Sequence, residues 1–164
     1  PLDFGFIRNH YIGRTFIMPE MGQRIDSIDM KLAVVPGVVK DKRVVVVDDS
    51  IIRGTTSRRR VSALRKAGAK EIHMRISCPP TRHPCHFGID FPSRSELIAA
   101  QHSIEEIKTF IGADSLEYVS LEGLLSTMEH PEDFCAGCFS GKYPVEVVEA
   151  QGKLDLEKTA PITM

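Results

Sequence analysis

The feature that most constrains the fold is a run of four valines, Val44 to Val47, which ends in two adjacent aspartates. A continuous β-branched run of this kind is typical of a parallel strand buried on both faces. We therefore predict a strand from Arg43 to Val47. This strand places Asp48 and Asp49 at its carboxyl end, the edge where open α/β sheets bind their ligands.

The residues that follow predict a βαβ unit. Apolar residues recur at three-residue spacing from Val61 to Ala67, which indicates a helix over about residues 57–67. Gly68 follows where a helix C-cap belongs, and residues 71–77 then alternate as a strand. Strand, helix and strand in this order predict an α/β fold with a mostly parallel sheet flanked by helices.

Shorter patterns predict the remaining elements. Residues 2–7 fit a short strand, and residues 32–39 fit a strand, a turn and a second strand. Ser93-x-x-Glu96 and Ser103-x-x-Glu106 both match the capping box, which predicts helices reaching about residues 100 and 111. A strand at 116–119 and a helix at 120–128 follow, and the polar tail after residue 148 is expected to be loosely held.

Composition and charge exclude several classes of protein. The chain has 164 residues, of which 42% are hydrophobic and 26% charged, as in ordinary globular domains, and no apolar run approaches the roughly 20 residues of a membrane span. Residues 1–75 hold 15 basic and 8 acidic residues, and residues 76–164 hold 6 and 14. The basic half suits nucleic acid or a small polyphosphate, but the near-neutral total and the lack of finger or helix-turn-helix spacing disfavour nucleic acid.

The chain begins at Pro1 with residues typical of the middle of a domain, so we expect a fragment without a signal peptide. Its four cysteines favour free thiols or metal ligands over disulfides. We expect a cytoplasmic protein.

Residues 48–56, which we call the acidic loop, carry the densest chemistry. Asp48 and Asp49 repel each other, so they favour a cation such as Mg²⁺ or the hydroxyl donors of a sugar between them. Gly54 lets the backbone approach a ligand, Thr55 and Thr56 add hydroxyls, and amides at the next helix N-terminus attract an anion. This combination predicts a ribose 5-phosphate site. A solvated turn in which an aspartate merely caps the helix is the simpler alternative.

The run Asp-Asp-Ser-Ile-Ile-Arg-Gly-Thr-Thr-Ser at residues 48–57 matches the signature of type I phosphoribosyltransferases, which bind phosphoribosyl pyrophosphate in such a loop. Its Arg-Gly-Thr-Thr portion resembles, more narrowly, the glutamine phosphoribosyl pyrophosphate amidotransferases. The other segments that resemble this family include Tyr11 to Ile17, Met30 to Leu32, His83 to Cys85, Phe87 to Asp90, Glu96 to Ala99, Ser120 to Leu124 and Cys138 to Pro144. The resemblance covers nearly everything from Gly5 to Val148.

The resemblance implies a partial type I phosphoribosyltransferase fold over residues 1–128, with a lid at about 9–31, and a cysteine-bearing extension over 129–164. It implies a glycosyltransferase whose N-terminal glutaminase domain, absent here, supplies ammonia from glutamine. Ammonia is transferred to C1 of phosphoribosyl pyrophosphate, giving 5-phosphoribosylamine, pyrophosphate and glutamate in the first step of de novo purine synthesis. Purine nucleotide inhibitors and a homotetramer are also implied. Because the pyrophosphate loop is expected upstream of Pro1, this chain alone is expected to be inactive.

The resemblance also assigns residues to roles. Asp48 and Asp49 are implied to hold the ribose hydroxyls and the Mg²⁺ environment. The residues implied to bind the 5-phosphate are Ser50, Arg53, Gly54, Thr55 and Thr56. Arg14 and Lys31 are implied to act from the lid as it closes, although a plain surface loop is the alternative for that segment.

Cys135-Ala-Gly-Cys138 has the spacing with which one segment grips a metal ion or a cluster. A redox pair or two unrelated thiols fit the same pattern, and Cys78 and Cys85 raise the total to four, enough for Zn²⁺ or a [4Fe-4S] cluster. Resemblance to the iron–sulphur branch of the family implies that Cys85, Cys135 and Cys138 are three cluster ligands, with the fourth outside this chain. Cys78 is then a buried thiol.

Two other functions stay open. A non-catalytic sensor of phosphoribosyl pyrophosphate or nucleotides would need the same acidic loop, but the lid and C-terminal resemblance favours the enzyme. A metal-stapled interaction module centred on Cys135 and Cys138 would bind metal and have no affinity for nucleotides.

Overall fold

The computed structural model describes residues 2–8, 32–89 and 93–146. The strands are β1 (Phe6–Arg8), β2 (Leu32–Val34), β3 (Arg43–Asp48), β4 (Glu71–Ile76) and β5 (Ser115–Tyr118). The helices are α1 (Pro36–Val39), α2 (Thr55–Lys66), α3 (Ile98–Gln101), α4 (Ile104–Ile111), α5 (Leu121–Leu125) and α6 (Gly137–Ser140), and 3₁₀ turns occupy Arg94–Glu96 and Pro131–Asp133.

The central sheet confirms the predicted α/β class. Strands β3, β4 and β5 run parallel in that order, and β1 and β2 form a separate antiparallel pair. In the parallel sheet Val46 lies opposite Met74, which lies opposite Leu116. Helix α2 connects β3 to β4, so the predicted βαβ unit is present.

The core lies between one face of this sheet and helices α2 and α4. Ile72 and Met74 of β4 are fully buried, and Val61 of α2 and Ile107 of α4 belong to the same cluster. Burying an aliphatic side chain of this size contributes about 1.5–3 kcal/mol. The cluster therefore fixes α2, and with it the end of the acidic loop, relative to the strands.

The valine strand differs from the prediction in one respect, because it is covered on one face and not on both. Val45 and Val47 are 64% and 72% exposed, whereas Val44 and Val46 pack against the core cluster. Side chains alternate along a strand, so the exposed pair project from the face opposite the helices. Among the described residues, β3 pairs with β4 alone.

Two local predictions are also wrong. The second strand expected within 32–39 is helix α1, where Pro36 occupies the helix start with its φ already fixed. Ser93 does not cap a helix, because its Oγ bonds the Oγ of Ser95 at 2.8 Å and only a 3₁₀ turn follows. By contrast, Ser103 and Glu106 form the predicted capping box at the start of α4.

Some predictions lie outside the described residues, namely the lid at 9–31 and the tail after residue 148. Within the described part of the chain, no helix is both long enough and apolar enough to cross a bilayer.

Candidate functional site

The acidic loop is anchored on both sides. Ser77 N donates to Asp48 O at 3.0 Å, which ties the end of β3 to the segment after β4. Ile98 N donates to Ile52 O at 2.9 Å, and the Ile51 side chain is 2% exposed in the core. The loop backbone is therefore held by the sheet on one side and by the start of α3 on the other.

A cavity of about 250 Å³ lies at the carboxyl end of β3, lined by residues 48–57 and Arg60. All seven residues that the sequence assigned to substrate binding line it: Asp48, Asp49, Ser50, Arg53, Gly54, Thr55 and Thr56. The structure thus brings the predicted residues together around one space. Arg60, which the sequence analysis did not single out, joins them from α2.

Gly54 makes the turn from the acidic loop into α2. It has a left-handed backbone, with φ of 75°, and a Cβ placed there would lie 3.0 Å from Ile98 Cδ1 and from Phe110 Cε1. Only glycine meets both conditions without strain. No side chain caps the N-terminus of α2, so its first amides can serve an anion in the cavity.

The two aspartates have unequal surroundings. Asp48 is mostly buried, with a side chain 15% exposed, and its Oδ2 accepts a hydrogen bond from Arg60 Nη1. Burial raises the pKa of Asp48 above its ordinary value and Asp49 adds to the rise, whereas the charge of Arg60 opposes it. Asp49 is exposed and accepts a hydrogen bond from Ser50 Oγ at 3.2 Å.

Arg53 pairs with a residue outside the acidic loop. Its guanidinium pairs with Glu96 at 3.1 Å, and both side chains are about half exposed. It also lines a neighbouring cavity of about 670 Å³ between the acidic loop and helices α3 and α4. The other two predicted site residues, Arg14 and Lys31, lie outside the described part of the chain.

Two segments distant in sequence, residues 82–87 and 135–143, form what we call the cysteine region. Arg82 N and His83 N each donate to Cys138 O at 3.0 Å, and Tyr143 Oη donates to Pro84 O at 2.7 Å. Tyr143 packs tightly over Gly137, where a Cβ would lie 2.3 Å from the tyrosine ring. Backbone hydrogen bonds and one aromatic ring thus join the segment bearing Cys85 to the segment bearing the Cys-x-x-Cys pair.

The thiols of this region influence one another. Burial raises the pKa of Cys138, and the neighbouring Cys85 and Cys135 raise it further. Phe87 N donates to Cys85 Sγ at 3.4 Å. All four cysteines are free thiols. Among the described residues, no group of three or more His, Cys, Asp or Glu side chains is arranged to hold a metal ion.

Cys78 packs against the core cluster, within electrostatic reach of both Asp49 and Cys138. Burial raises the pKa of its thiol to about 11, with the charge of Asp49 as the second cause. It donates to the carbonyl of Pro79 at 3.2 Å. A protonated, partly buried thiol of this kind packs as a small apolar group.

The chain was compared with known proteins. No protein-family model matches it. It is 53% identical over 154 residues to the amidophosphoribosyltransferase of Bacillus subtilis strain 168, which covers 91% of this chain and 32% of that protein. The amidophosphoribosyltransferase of Archaeoglobus fulgidus is 54% identical over 146 residues, covering 87% and 32%. The chain therefore spans about a third of the length of these curated relatives.

A solved structure gives the same answer. The glutamine phosphoribosylpyrophosphate amidotransferase of B. subtilis, complexed with ADP and GMP, superposes with a TM-score of 0.76 at 53% identity, over 90% of this chain and 33% of that one. The sequence comparison and the structure comparison match the same family over about nine-tenths of this chain, and in both the matched region is about a third of the relative. The chain belongs to the amidophosphoribosyltransferase family.

Proposed function

We propose that this chain is the phosphoribosyl-binding part of an amidophosphoribosyltransferase. The whole protein would transfer glutamine-derived ammonia to C1 of phosphoribosyl pyrophosphate, giving 5-phosphoribosylamine, pyrophosphate and glutamate in de novo purine synthesis. The observation that carries this proposal is the single cavity at the end of β3, which is lined by all seven predicted substrate residues. The identity to named relatives supports the reaction assigned to it.

The proposed organisation follows the resemblance described for the sequence. Residues 1–128 form a partial phosphoribosyltransferase domain with its lid at 9–31, and residues 129–164 form a cysteine-bearing extension. A glutaminase domain belongs to the remainder of the protein. The whole protein assembles as a homotetramer in the cytoplasm. Purine nucleotides are proposed as inhibitors, because the solved relative is complexed with ADP and GMP.

The proposed mechanism relies on positioning and electrostatics. The carboxylates at 48 and 49 orient the ribose hydroxyls, while the α2 amides with Thr55 and Thr56 hold the 5-phosphate. A bound Mg²⁺ would neutralise charge on the departing pyrophosphate. Carboxylate oxygens are the ligands that Mg²⁺ prefers, and Asp49 presents an exposed carboxylate, so this residue fits the ion. Arg14 and Lys31 would exclude water and support the leaving group from the lid.

A [4Fe-4S] cluster is proposed at the cysteine region, with its ligands drawn from the thiols there. Cys85, Cys135 and Cys138 come from two segments that hydrogen bonds hold together, and the fourth thiolate is proposed to come from outside this chain. A cluster held here would tie the extension to the rest of the domain.

The test uses the protein extended to the length of its relatives and purified without oxygen. Phosphoribosylamine formation is measured with glutamine and with ammonia, for wild type, Asp49→Asn and a matched control, Asp41→Asn. Asp41 precedes β3, at the end opposite the site, and has a φ of 61°, which asparagine tolerates. We expect activity with both donors, lost with both in Asp49→Asn alone. Full activity of Asp49→Asn contradicts the assignment of the acidic pair.

The sensor and the interaction module make different predictions for the same protein. Binding of phosphoribosyl pyrophosphate without turnover, in a cluster-loaded preparation, supports a sensor. Metal binding through Cys135 and Cys138 with no affinity for ribose phosphates supports the interaction module.

A further inference from the structure

Arg60 lines the cavity of the acidic loop, and the proposed function gives it no role. It lies on α2 one turn after Thr56, and helical side chains point back toward the helix N-terminus, so its guanidinium reaches the cavity. Its Nη1 donates to Asp48 Oδ2, and its Nε is buried without a hydrogen-bond partner. The side chain is 27% exposed, which makes this a sheltered ion pair.

Because of this contact, the two aspartates differ in charge pairing and in exposure. One oxygen of Asp48 is occupied by Arg60, and the carboxylate is mostly buried. Asp49, the next residue, is exposed, and its described hydrogen-bond partner is the hydroxyl of Ser50. Adjacent positions in the sequence therefore present one neutralised carboxylate and one available carboxylate.

Arg60 also changes what the cavity attracts. A guanidinium within a few ångströms of a cation site repels a divalent ion and occupies an oxygen that the ion would need. The same positive charge, next to the amides of α2, favours the phosphate of a sugar phosphate. Arg60 thus opposes cation binding between the two aspartates while it supports anion binding beside them.

We propose that Arg60 divides the acidic pair into two roles: it holds Asp48 as a fixed, neutralised positioning group and leaves Asp49 as the carboxylate that contacts ribose hydroxyls or Mg²⁺. Arg60 is a positioning residue, because it acts through Asp48. The identity of the ligand rests on the proposed function, whereas the masking of Asp48 does not. The division departs from the equal roles that family resemblance implies for the two aspartates.

The first experiment needs no substrate. Mn²⁺ affinity of the 164-residue chain is measured by electron paramagnetic resonance for wild type, Arg60→Met, Arg59→Met and the double variant Arg60→Met with Asp48→Asn. Unmasking Asp48 should raise Mn²⁺ affinity about threefold or more in Arg60→Met. Adding Asp48→Asn should cancel the gain. Arg59→Met, which removes the same charge from the neighbouring helix position, should leave the affinity near the wild-type value.

Methionine at position 60 removes a buried donor that has no partner, but it also leaves the carboxylate of Asp48 without its arginine, so a loss of stability is expected. Circular dichroism checks the fold, and Arg60→Gln replaces Arg60→Met if that variant unfolds. Unchanged Mn²⁺ affinity in a folded variant, or an equal gain in Arg59→Met, overturns the proposal.

The second experiment separates this inference from the proposed function. Ribose 5-phosphate binding is measured by calorimetry for wild type, Asp48→Asn and Asp49→Asn. We expect Asp49→Asn to weaken binding about tenfold and Asp48→Asn to weaken it less. Equal losses overturn the division of roles. If wild type binds no ribose phosphate, the proposed function fails, and the Mn²⁺ measurement still decides the role of Arg60.

Discussion

The acidic loop and the cysteine region are built in opposite ways. The acidic loop is one continuous stretch between β3 and α2, and its residues meet because a single βα connection turns them toward one cavity. The cysteine region is assembled from residues 82–87 and 135–143, and it depends on a few hydrogen bonds and one tyrosine ring. A site within one βα connection is held in place by the sheet and helix that it joins. A site formed by two distant segments is held in place by the contacts between those segments.

The largest effect should come from breaking the turn of the acidic loop with Gly54→Val. Valine at a φ of 75° is strained, and its side chain would press on Ile98 and Phe110. We expect ribose 5-phosphate binding to fall about 100-fold, equivalent to about 2.8 kcal/mol, measured by calorimetry. Gly37→Val, where nothing lies within 4 Å of an added Cβ, is the control. Wild-type binding in Gly54→Val would show that the loop tolerates a displaced turn.

The thiols give the next contrast, because Cys78 packs against the core cluster and Cys135 lies exposed in the cysteine region. Burial raises the pKa of Cys78 to about 11, so at pH 8 roughly 0.1% of it is thiolate, whereas Cys135 is exposed. We expect iodoacetamide to modify Cys78 at least about tenfold more slowly than Cys135, as followed by mass spectrometry. The rates should converge in urea. Equal rates in the folded chain would contradict the packing of Cys78 against the core.

A smaller effect should follow from Gly137→Ala. The added methyl group would overlap the Tyr143 ring, so the ring must move and its bond to Pro84 O weakens. Overpacking of this kind costs about 1–3 kcal/mol. Thermal unfolding should report the loss, while ribose 5-phosphate binding stays at the wild-type value if the two regions are independent. Reduced binding would instead show that the cysteine region supports the acidic loop.

The smallest effect concerns the sheet that carries the acidic loop. Asp114 accepts a hydrogen bond from Ile72 N at 2.6 Å, which lowers its pKa, and pairing with Arg65 lowers it further. A carboxyl whose pKa is lowered in the folded state stabilises the fold at every pH above its ordinary pKa, which is near 3.8. This stabilisation is lost as the pH falls through the folded-state pKa.

Because Asp114 is partly exposed, Asp114→Asn should cost about 0.5–1 kcal/mol at pH 7, measured by urea unfolding. The difference from wild type should shrink toward pH 3. The control is Asp133→Asn, at an exposed aspartate in the second 3₁₀ turn. A cost that stays constant with pH would place the effect in packing and not in charge.

Sequence predicted those parts of the molecule that local physics controls. Asp48 to Thr56 could be placed because a strand end and a helix start are local features. The Ser-x-x-Glu pattern predicts the capping box correctly at Ser103 and wrongly at Ser93. There the serine hydroxyl bonds the hydroxyl of Ser95 and caps no helix. Only the tertiary surroundings distinguish the two positions.

Arg60 shows what the pattern leaves out. It lies within a run of three arginines, and nothing in their order shows which one reaches Asp48, 12 residues upstream. A spacing of four residues does not single it out either, because Arg58 and Arg59 follow Gly54 and Thr55 of the same loop at the same spacing. The exposure of Val45 and Val47 was missed for a related reason, since a valine run predicts a strand but not how many of its faces are covered.

The half-covered strand has a consequence for handling the chain in solution. Within the described residues, β3 offers an unpaired backbone edge, and its exposed valines lie next to it. A bare strand edge of this composition is a template for intermolecular pairing, and the flanking Arg43 and Asp48 are the only charges in β3 that oppose it. Among the described residues, β3 is therefore the segment whose backbone edge and exposed valines favour association of one chain with another.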